Sequence, residues 1–156
     1  MGNDINLRKA NINDGKFLYL LRNDKDVRCN SFNNDIIEYS QHINWFEDKL
    51  KDNMCDIYIL QLGDISIGQV RIDYDNDIGV ISYALCKEYR GNGYSKWMLK
   101  QIQKYMKNKC CKLRAYVKKE NNVSKHIFEI LGFSCNIKNE YYEFNKNINY
   151  FIGDKN

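Results

Sequence analysis

Hydrophobic residues along the chain recur with two different periods, and these periods predict strands and helices in turn. Alternating or continuous apolar runs predict strands at 5–10, 56–61, 65–74, 79–86 and 112–117, with one or two more in the tail, 133–152, which includes Tyr150. Apolar residues at helical spacing predict four helices. The first three follow Asn13 or Asp14, Ser40 and the glycine loop at 91–93, and the last one stops at Gly132. The polar, Asn-rich passage 22–35 carries no predicted element.

The connections between the predicted strands set their directions. Turn residues at 62–64 and 75–77 leave only short hairpin links, so strands 56–61, 65–74 and 79–86 are expected to be antiparallel. A helix separates strand 79–86 from strand 112–117, and such a crossover makes that pair parallel. The sequence therefore predicts an α/β fold with a mixed, mostly antiparallel sheet that contains one parallel crossover pair.

Composition limits the classes of protein to which this chain can belong. Its 156 residues, 44% of them hydrophobic and none of them proline, suffice for one core, and no linker or repeat divides them. The net charge of +4 is spread among both signs and does not indicate a nucleic-acid partner. No leader-like or membrane-length apolar run occurs, and the six cysteines lack metal-site or disulfide-scaffold spacing. We therefore expect reduced cysteines, a cytoplasmic location, no membrane insertion and, from exposed sheet edges, a possible homodimer.

The loop Arg90-Gly91-Asn92-Gly93, between a strand and a helix, is the first candidate for chemistry. Unpaired amides at a helix N-terminus attract phosphate, glycine allows close approach, and Arg90 would add a charged donor. A plain turn with glycines for geometry is the alternative. A Walker loop is excluded because no Gly-Lys-Ser/Thr occurs, and a dinucleotide fingerprint is excluded because position 96 is Lys96.

Two segments carry a family resemblance. The run 90–95, Arg-Gly-Asn-Gly-Tyr-Ser, resembles the Arg/Gln-x-x-Gly-x-Gly/Ala signature of the GNAT acetyltransferase superfamily. The run 121–133 resembles that family's Asn-x-x-Ser/Ala-x-x-x-Tyr/Phe-x-x-x-Gly-Phe segment, and the likeness extends over nearly the whole chain. The resemblance implies one GNAT-like N-acetyltransferase domain over 1–156, with acetyl-CoA as cosubstrate held where the parallel pair splays apart.

The resemblance also implies which residues contact acetyl-CoA. Backbone groups at the end of strand 79–86 would pair with the pantetheine arm, the loop amides would hold the pyrophosphate, and the helix after strand 112–117 would contact the cofactor from the other side. The implied set is Leu85, Cys86, Lys87, Arg90, Gly91, Asn92, Gly93, Tyr94, Ser95, Asn121, Ser124 and Phe128.

Proton transfer is where the chain departs from the family pattern. Phe128 stands where many members have a tyrosine that acts as general acid, so another group or water must protonate the thiolate, or it leaves unassisted. The strand acid of many members is also missing. The candidates for deprotonating an ammonium are His42, Asp73 and Tyr83, and a surface histidine is the alternative interpretation of His42. The two histidines have no ligand spacing, and we predict no metal.

The N-terminal half is expected to supply the acceptor site. Its series Arg22, Arg28, His42-x-x-Trp45 and Arg71 resembles the GNAT branch that N-acetylates nucleotide-linked amino sugars in pathways to pseudaminic acid-like sugars. That resemblance implies a UDP-linked amino sugar whose diphosphate pairs with the arginines while Trp45, with Phe32, stacks on uracil or sugar. A core role for Trp45 and a solvated Arg28 are the alternatives. An enzyme acting on a protein N-terminus or another small amine, and a non-catalytic acyl-CoA-binding module, remain open.

Overall fold

A seven-stranded mixed sheet is the centre of the fold, as seen in a computed structural model that describes residues 4–148. The strands are β1 (Ile5–Lys9), β2 (Cys55–Leu62), β3 (Ile65–Asp75), β4 (Ile78–Leu85), β5 (Lys112–Lys118), β6 (Ser134–Ile137) and β7 (Tyr141–Asn147). They lie in the order β1-β2-β3-β4-β5-β7-β6, and every pair is antiparallel except β4 and β5. The predicted fold class is therefore confirmed.

Five α-helices cover the two faces of this sheet. They are α1 (Gly15–Asn23), α2 (Lys25–Asn30), α3 (Tyr39–Lys51), α4 (Tyr94–Met106) and α5 (Asn122–Ile130). The predicted single domain, 1–156, extends beyond the described residues at both ends. The predicted strand residue Tyr150 lies outside them.

The parallel pair separates along its length. β4 and β5 are paired from Ile78 and Lys112 as far as Ile81 and Ala115, and beyond that point no pairing joins them. β4 nevertheless continues to Leu85 and β5 to Lys118. The pair therefore opens into a gap in the middle of the sheet, beyond Ile81 and Ala115, as the family resemblance implied.

Apolar side chains form one core on each face of the sheet. The larger core lies beneath α4 and α5, and Met98, Ile102 and Met106 are fully buried in it, as their helical spacing predicts. Tyr105 of the same helix is 43% exposed. The smaller core joins Leu18 of α1 and Phe46 of α3 to β2. α1 and α3 thus lie on one face of the sheet, and α4 and α5 lie on the other face.

Three helix starts differ from the sequence-based predictions. The polar passage contains α2, because the side chain of Asp24 accepts a hydrogen bond from the amide of Val27 and caps that helix. Asn11 caps a 3₁₀ turn before α1, whereas the carboxylate of Asp14 binds the guanidinium of Arg8. Ser40 lies inside α3, which begins one residue earlier without a side-chain cap.

A buried carboxylate, Asp56, ties four segments together. It accepts hydrogen bonds from the hydroxyl of Tyr74 (2.6 Å), from Nζ of Lys109 (2.8 Å) and from Nζ of Lys9. Burial alone would raise the pKa of this carboxyl group, but its three donors outweigh burial and lower the pKa to about 2. The group therefore stays ionised under ordinary conditions and links β1, β2, β3 and the segment after α4.

We expect Asp56→Asn to lower the free energy of unfolding by about 2 kcal/mol at pH 7, because the depressed pKa reports stabilisation of the ionised form. A carboxyl whose pKa is lower in the folded state contributes above its unfolded value, about 3.9, and loses that contribution as the pH falls towards 2. Urea unfolding at pH 7 and pH 3 should therefore show a smaller difference between variant and parent at pH 3. Asp64→Asn, in the exposed β2–β3 turn, is the control. An equal loss at both pH values would contradict this assignment.

Candidate active site

The glycine loop presents an uncapped helix N-terminus. Gly91 and Gly93 have φ angles of +77° and +82°, a conformation that glycine adopts without strain. Gly93 is the N-cap of α4, and no side chain accepts from the first amides of this helix, which have no partner within the helix itself. A Cβ added at Gly91 would meet nothing within 4 Å, so this side of the loop is open to an approaching group.

Arg90 forms hydrogen bonds with groups of the protein itself. Its Nε donates to the carbonyl of Leu85 (3.0 Å), and its two terminal nitrogens donate to Asp26 (2.9 Å) and Asp24 (3.1 Å). These carboxylates belong to α2 and its cap. Arg90 therefore fastens the loop to α2, and no local pattern of the sequence indicated either carboxylate partner.

The last residue of β4 and the two residues after it differ in how their backbone groups are used. The amide of Cys86 donates to Ile67 on β3 (2.8 Å), so it is not available to a ligand in the gap. Backbone groups of successive strand residues point to alternate edges, which directs the amide of Leu85 towards the gap. Lys87 begins an exposed 3₁₀ turn after the strand. Leu85 is thus the best placed of the three predicted pantetheine partners, and the carbonyl of the same residue is held by Arg90.

Helix α5 brings its predicted cofactor residues to the other side of the gap. Asn121 is the N-cap, and its Oδ1 accepts a hydrogen bond from the amide of Ser124 (3.2 Å). Phe128 is only 1% exposed, and its ring packs against the rings of Phe133 and Phe144 with centroids 5.0 and 5.4 Å apart. The aromatic ring at this position therefore belongs to the core.

Tyr83 also lies at the gap, with its hydroxyl oxygen 2.6 Å from Oγ of Ser124. Burial raises the pKa of this phenol, and the hydrogen bond to Ser124 only partly offsets that effect. A phenol that stays protonated cannot accept a proton from an ammonium, so this environment disfavours the predicted role of Tyr83 as a base. Its hydroxyl is suited to donating a hydrogen bond.

Arginines organise the loop between α2 and α3. Nη2 of Arg22 donates to the carbonyl of Asn33 (2.7 Å), and Nη1 of Arg28 lies 3.4 Å from the carbonyl of Asn34. Asn23 exchanges two hydrogen bonds with the backbone of Ile37. The predicted substrate residue Arg28 is therefore partly occupied with loop carbonyls, and Lys118 of β5 reaches the same region through the carbonyl of Cys29 (3.1 Å).

Two buried nitrogens in this region have no hydrogen-bond partner within residues 4–148, Nη1 of Arg22 and Nδ1 of His42. His42 is 4% exposed, and its ring lies between those of Tyr19 and Trp45, with centroids 5.9 and 5.4 Å away. Burial, and then the charge of Arg22, lower the pKa of His42 below its ordinary value. His42 is therefore a buried, neutral imidazole near neutral pH, and the interpretation as a surface histidine is wrong.

Arg71 links β3 of the sheet to α3. Its guanidinium lies 5.2 Å from the ring centroid of Trp45, and its Nε donates to Asp73 (2.8 Å), which also pairs with Lys49 (3.3 Å). Burial opposes ionisation of Asp73, but the two cations outweigh it and lower the pKa of the carboxyl. Asp73 is thus a weak base held in ion pairs. Arg71 is paired across the sheet with Ser82, at the start of the gap.

Residues 4–148 contain neither a metal-binding cluster nor a membrane-spanning helix. No group of three or more His, Cys, Asp or Glu side chains in this range could hold a metal ion. None of the helices in the same range has the length and apolar character needed to cross a bilayer.

Known proteins provide three comparisons for this arrangement. No curated protein sequence matches the chain. Among solved structures, the spermidine N-acetyltransferase from Vibrio cholerae, in complex with CoA and spermine, aligns over 94% of this chain and 96% of its own with a TM-score of 0.85 at 16% identity.

A domain from Methanocaldococcus jannaschii aligns over 92% of this chain and 97% of its own, with a TM-score of 0.82 at 18% identity. An acetyltransferase of the GNAT family from Streptococcus pneumoniae covers 92% and 98%, with a TM-score of 0.75 at 16% identity. Likeness at this level of identity shows the fold. The sequence itself matches the family model for the acetyltransferase (GNAT) domain over residues 4–134. This chain, with its splayed parallel pair and glycine loop, therefore belongs to the GNAT acetyltransferase family.

Proposed function

We propose that this GNAT enzyme uses acetyl-CoA to acetylate a primary amine on a nucleotide-linked amino sugar. The observation that carries the acceptor proposal is the pair of buried nitrogens without partners, Nη1 of Arg22 and Nδ1 of His42, in the described part of the chain. A buried donor without an acceptor costs about 1–3 kcal/mol, and phosphate oxygens are strong acceptors for a guanidinium. A diphosphate bound near Arg22 would remove that cost.

The charge of the surrounding region supports an anionic acceptor. Burial and the positive charges of Arg28 and Arg71 lower the pKa of Arg22 and outweigh the opposing negative charge of Asp35. Two nearby carboxylates are already paired: Asp24 with Arg90, and Asp73 with Arg71 and Lys49. Spermidine, the substrate named for the Vibrio enzyme of similar fold, is a polycation and would meet excess positive charge in this chain.

The cofactor proposal depends on the gap between β4 and β5. The uncapped N-terminus of α4 provides amides and a positive dipole end for the pyrophosphate of acetyl-CoA. The open edge of β4 has backbone groups that would pair with the pantetheine arm, and the amide of Leu85 would donate to the thioester carbonyl oxygen as it gains charge.

Direct transfer follows from this arrangement. The acceptor amine attacks the thioester carbonyl in a ternary complex, and holding both substrates lowers the entropic barrier. His42 is the base that we favour, because its imidazole is neutral near pH 7 while Asp73 is held by two cations. No cysteine nucleophile is required: burial raises the pKa of the Cys86 thiol and disfavours its thiolate.

Gly93→Glu should weaken acetyl-CoA binding at least about 100-fold, because a carboxylate at the α4 N-terminus would repel the pyrophosphate and its side chain would obstruct the loop. Isothermal titration calorimetry measures the affinity. Gly63→Glu is a matched control, since Gly63 also has a positive φ, of +59°, but lies in the β2–β3 turn. Unchanged affinity in Gly93→Glu would show that the loop does not hold the pyrophosphate.

Arg22→Gln should raise the KM for a UDP-amino sugar by about 10- to 100-fold while leaving the KM for acetyl-CoA within twofold, since a charged hydrogen bond to phosphate is lost. Lys16→Gln removes the same charge from an exposed position of the same helix and should change neither constant. Thiol release is measured with UDP-amino sugars, peptides with free N-termini and spermidine. Turnover of spermidine or peptides alone would refute the sugar acceptor, and acetyl-CoA binding without any turnover would indicate a binding module.

His42→Ala should lower kcat by about 100-fold or more, the usual range for a general base, without changing the Kd for acetyl-CoA. Because burial and Arg22 lower the pKa of His42, the wild-type rate should be constant near neutral pH and fall only well into the acid range. That acid limb should disappear in the variant. His126→Ala, at an exposed position of α5, provides the control. An unaltered pH–rate profile in His42→Ala would exclude His42 as the base.

A further inference from the structure

The hydroxyls of Tyr83 and Ser124 form a pair that has one hydrogen to spare. Their oxygens lie 2.6 Å apart, between β4 and the first turn of α5, and neither oxygen has another hydrogen-bond partner within residues 4–148. Two hydroxyls carry two hydrogens, and their mutual bond uses one. The second hydrogen can therefore be donated to a third group.

The position of this pair indicates which group that is. Ile81 is the last residue of β4 that pairs with β5, and Tyr83 follows it by two positions. Tyr83 therefore lies where the parallel strands have separated. Its ring is 6.1 Å from that of Phe128, the residue that stands where many relatives have an acidic hydroxyl. Ser124 lies one turn before Phe128 on α5. The missing hydroxyl therefore has a neighbour that enters the same region from the adjacent strand.

We propose that the Tyr83–Ser124 pair donates a hydrogen bond to the sulfur of coenzyme A as the thiolate leaves. Tyr83 is the donor, because Ser124 is only 8% exposed whereas Tyr83 is partly exposed at the gap. Ser124 donates to the phenol oxygen and so directs the phenol hydrogen away from α5. This inference depends on the proposed use of acetyl-CoA and adds a residue to its reaction.

The reaction balances without any proton leaving the pair. The C–N bond forms as the amine attacks, the C–S bond breaks, and its electron pair stays on sulfur. The proton that nitrogen loses goes to His42 and then to solvent, while the thiolate takes a proton from water after release. Burial raises the pKa of Tyr83, which keeps the phenol protonated and able to donate throughout. The pair acts by stabilising negative charge on sulfur.

Coenzyme A itself is the probe that tests this role, because a donor to the thiolate lowers the pKa of the bound thiol. The ultraviolet absorbance of the thiolate, followed against pH for the wild-type complex, gives that pKa. In Tyr83→Phe the bound thiol pKa should rise by about one unit, and kcat should fall about 10- to 100-fold with the Kd for CoA within twofold. Tyr89→Phe removes a hydroxyl beside the same loop and should leave the thiol pKa unchanged.

Ser124→Ala gives a second test that leaves the ring of Tyr83 in place. It should raise the thiol pKa by less than Tyr83→Phe does, because the phenol keeps its hydrogen but loses the group that orients it. An unchanged thiol pKa in both variants, each with CoA bound, would overturn the role of the pair. Failure of the wild-type protein to bind CoA would instead overturn the cofactor assignment and, with it, this inference.

Discussion

The divergence of β4 from β5 is the constraint on which the rest of the site depends. Backbone pairing holds these parallel strands together from Ile78 to Ile81 and then ends, although both strands continue. Each strand past that point has backbone groups that the sheet no longer satisfies, and buried unsatisfied groups are costly. A gap of this kind is stable where a ligand or solvent can supply the missing partners, and helices α4 and α5 flank it on one face of the sheet.

Positive side chains around the gap fall into two groups. Arg90 and Lys118 are structural, since they fasten the polar segment that contains α2 to the two strands that diverge. The second group is Arg22 of α1 and Arg71 of β3: Arg22 has a buried nitrogen without a partner in residues 4–148, and Arg71 packs on Trp45. The polar segment that contains α2 is thus attached directly to the glycine loop.

The hydroxyl that the family resemblance leads one to expect on α5 is absent, and the space is used differently. Phe128 completes an aromatic cluster with Phe133 and Phe144, which stabilises the core by burial and ring packing. The phenol of Tyr83 reaches the same region from β4, with its oxygen 2.6 Å from Oγ of Ser124. One tyrosine on α5 would combine core packing with a hydroxyl group. Here Phe128 of α5 packs in the core, and Tyr83 of β4 carries the hydroxyl.

The sequence by itself determined the order and type of most elements, the mixed sheet and the glycine loop, because periodicity, turn residues and helix caps are local properties. It did not reveal α2, whose cap is a single aspartate in a polar passage. Only the tertiary structure decided that Arg90 binds Asp24 and Asp26, that His42 is buried and that the hydroxyls of Tyr83 and Ser124 share a hydrogen bond. These roles depend on desolvation and on partners 41 to 66 positions away in the chain, which no local pattern encodes.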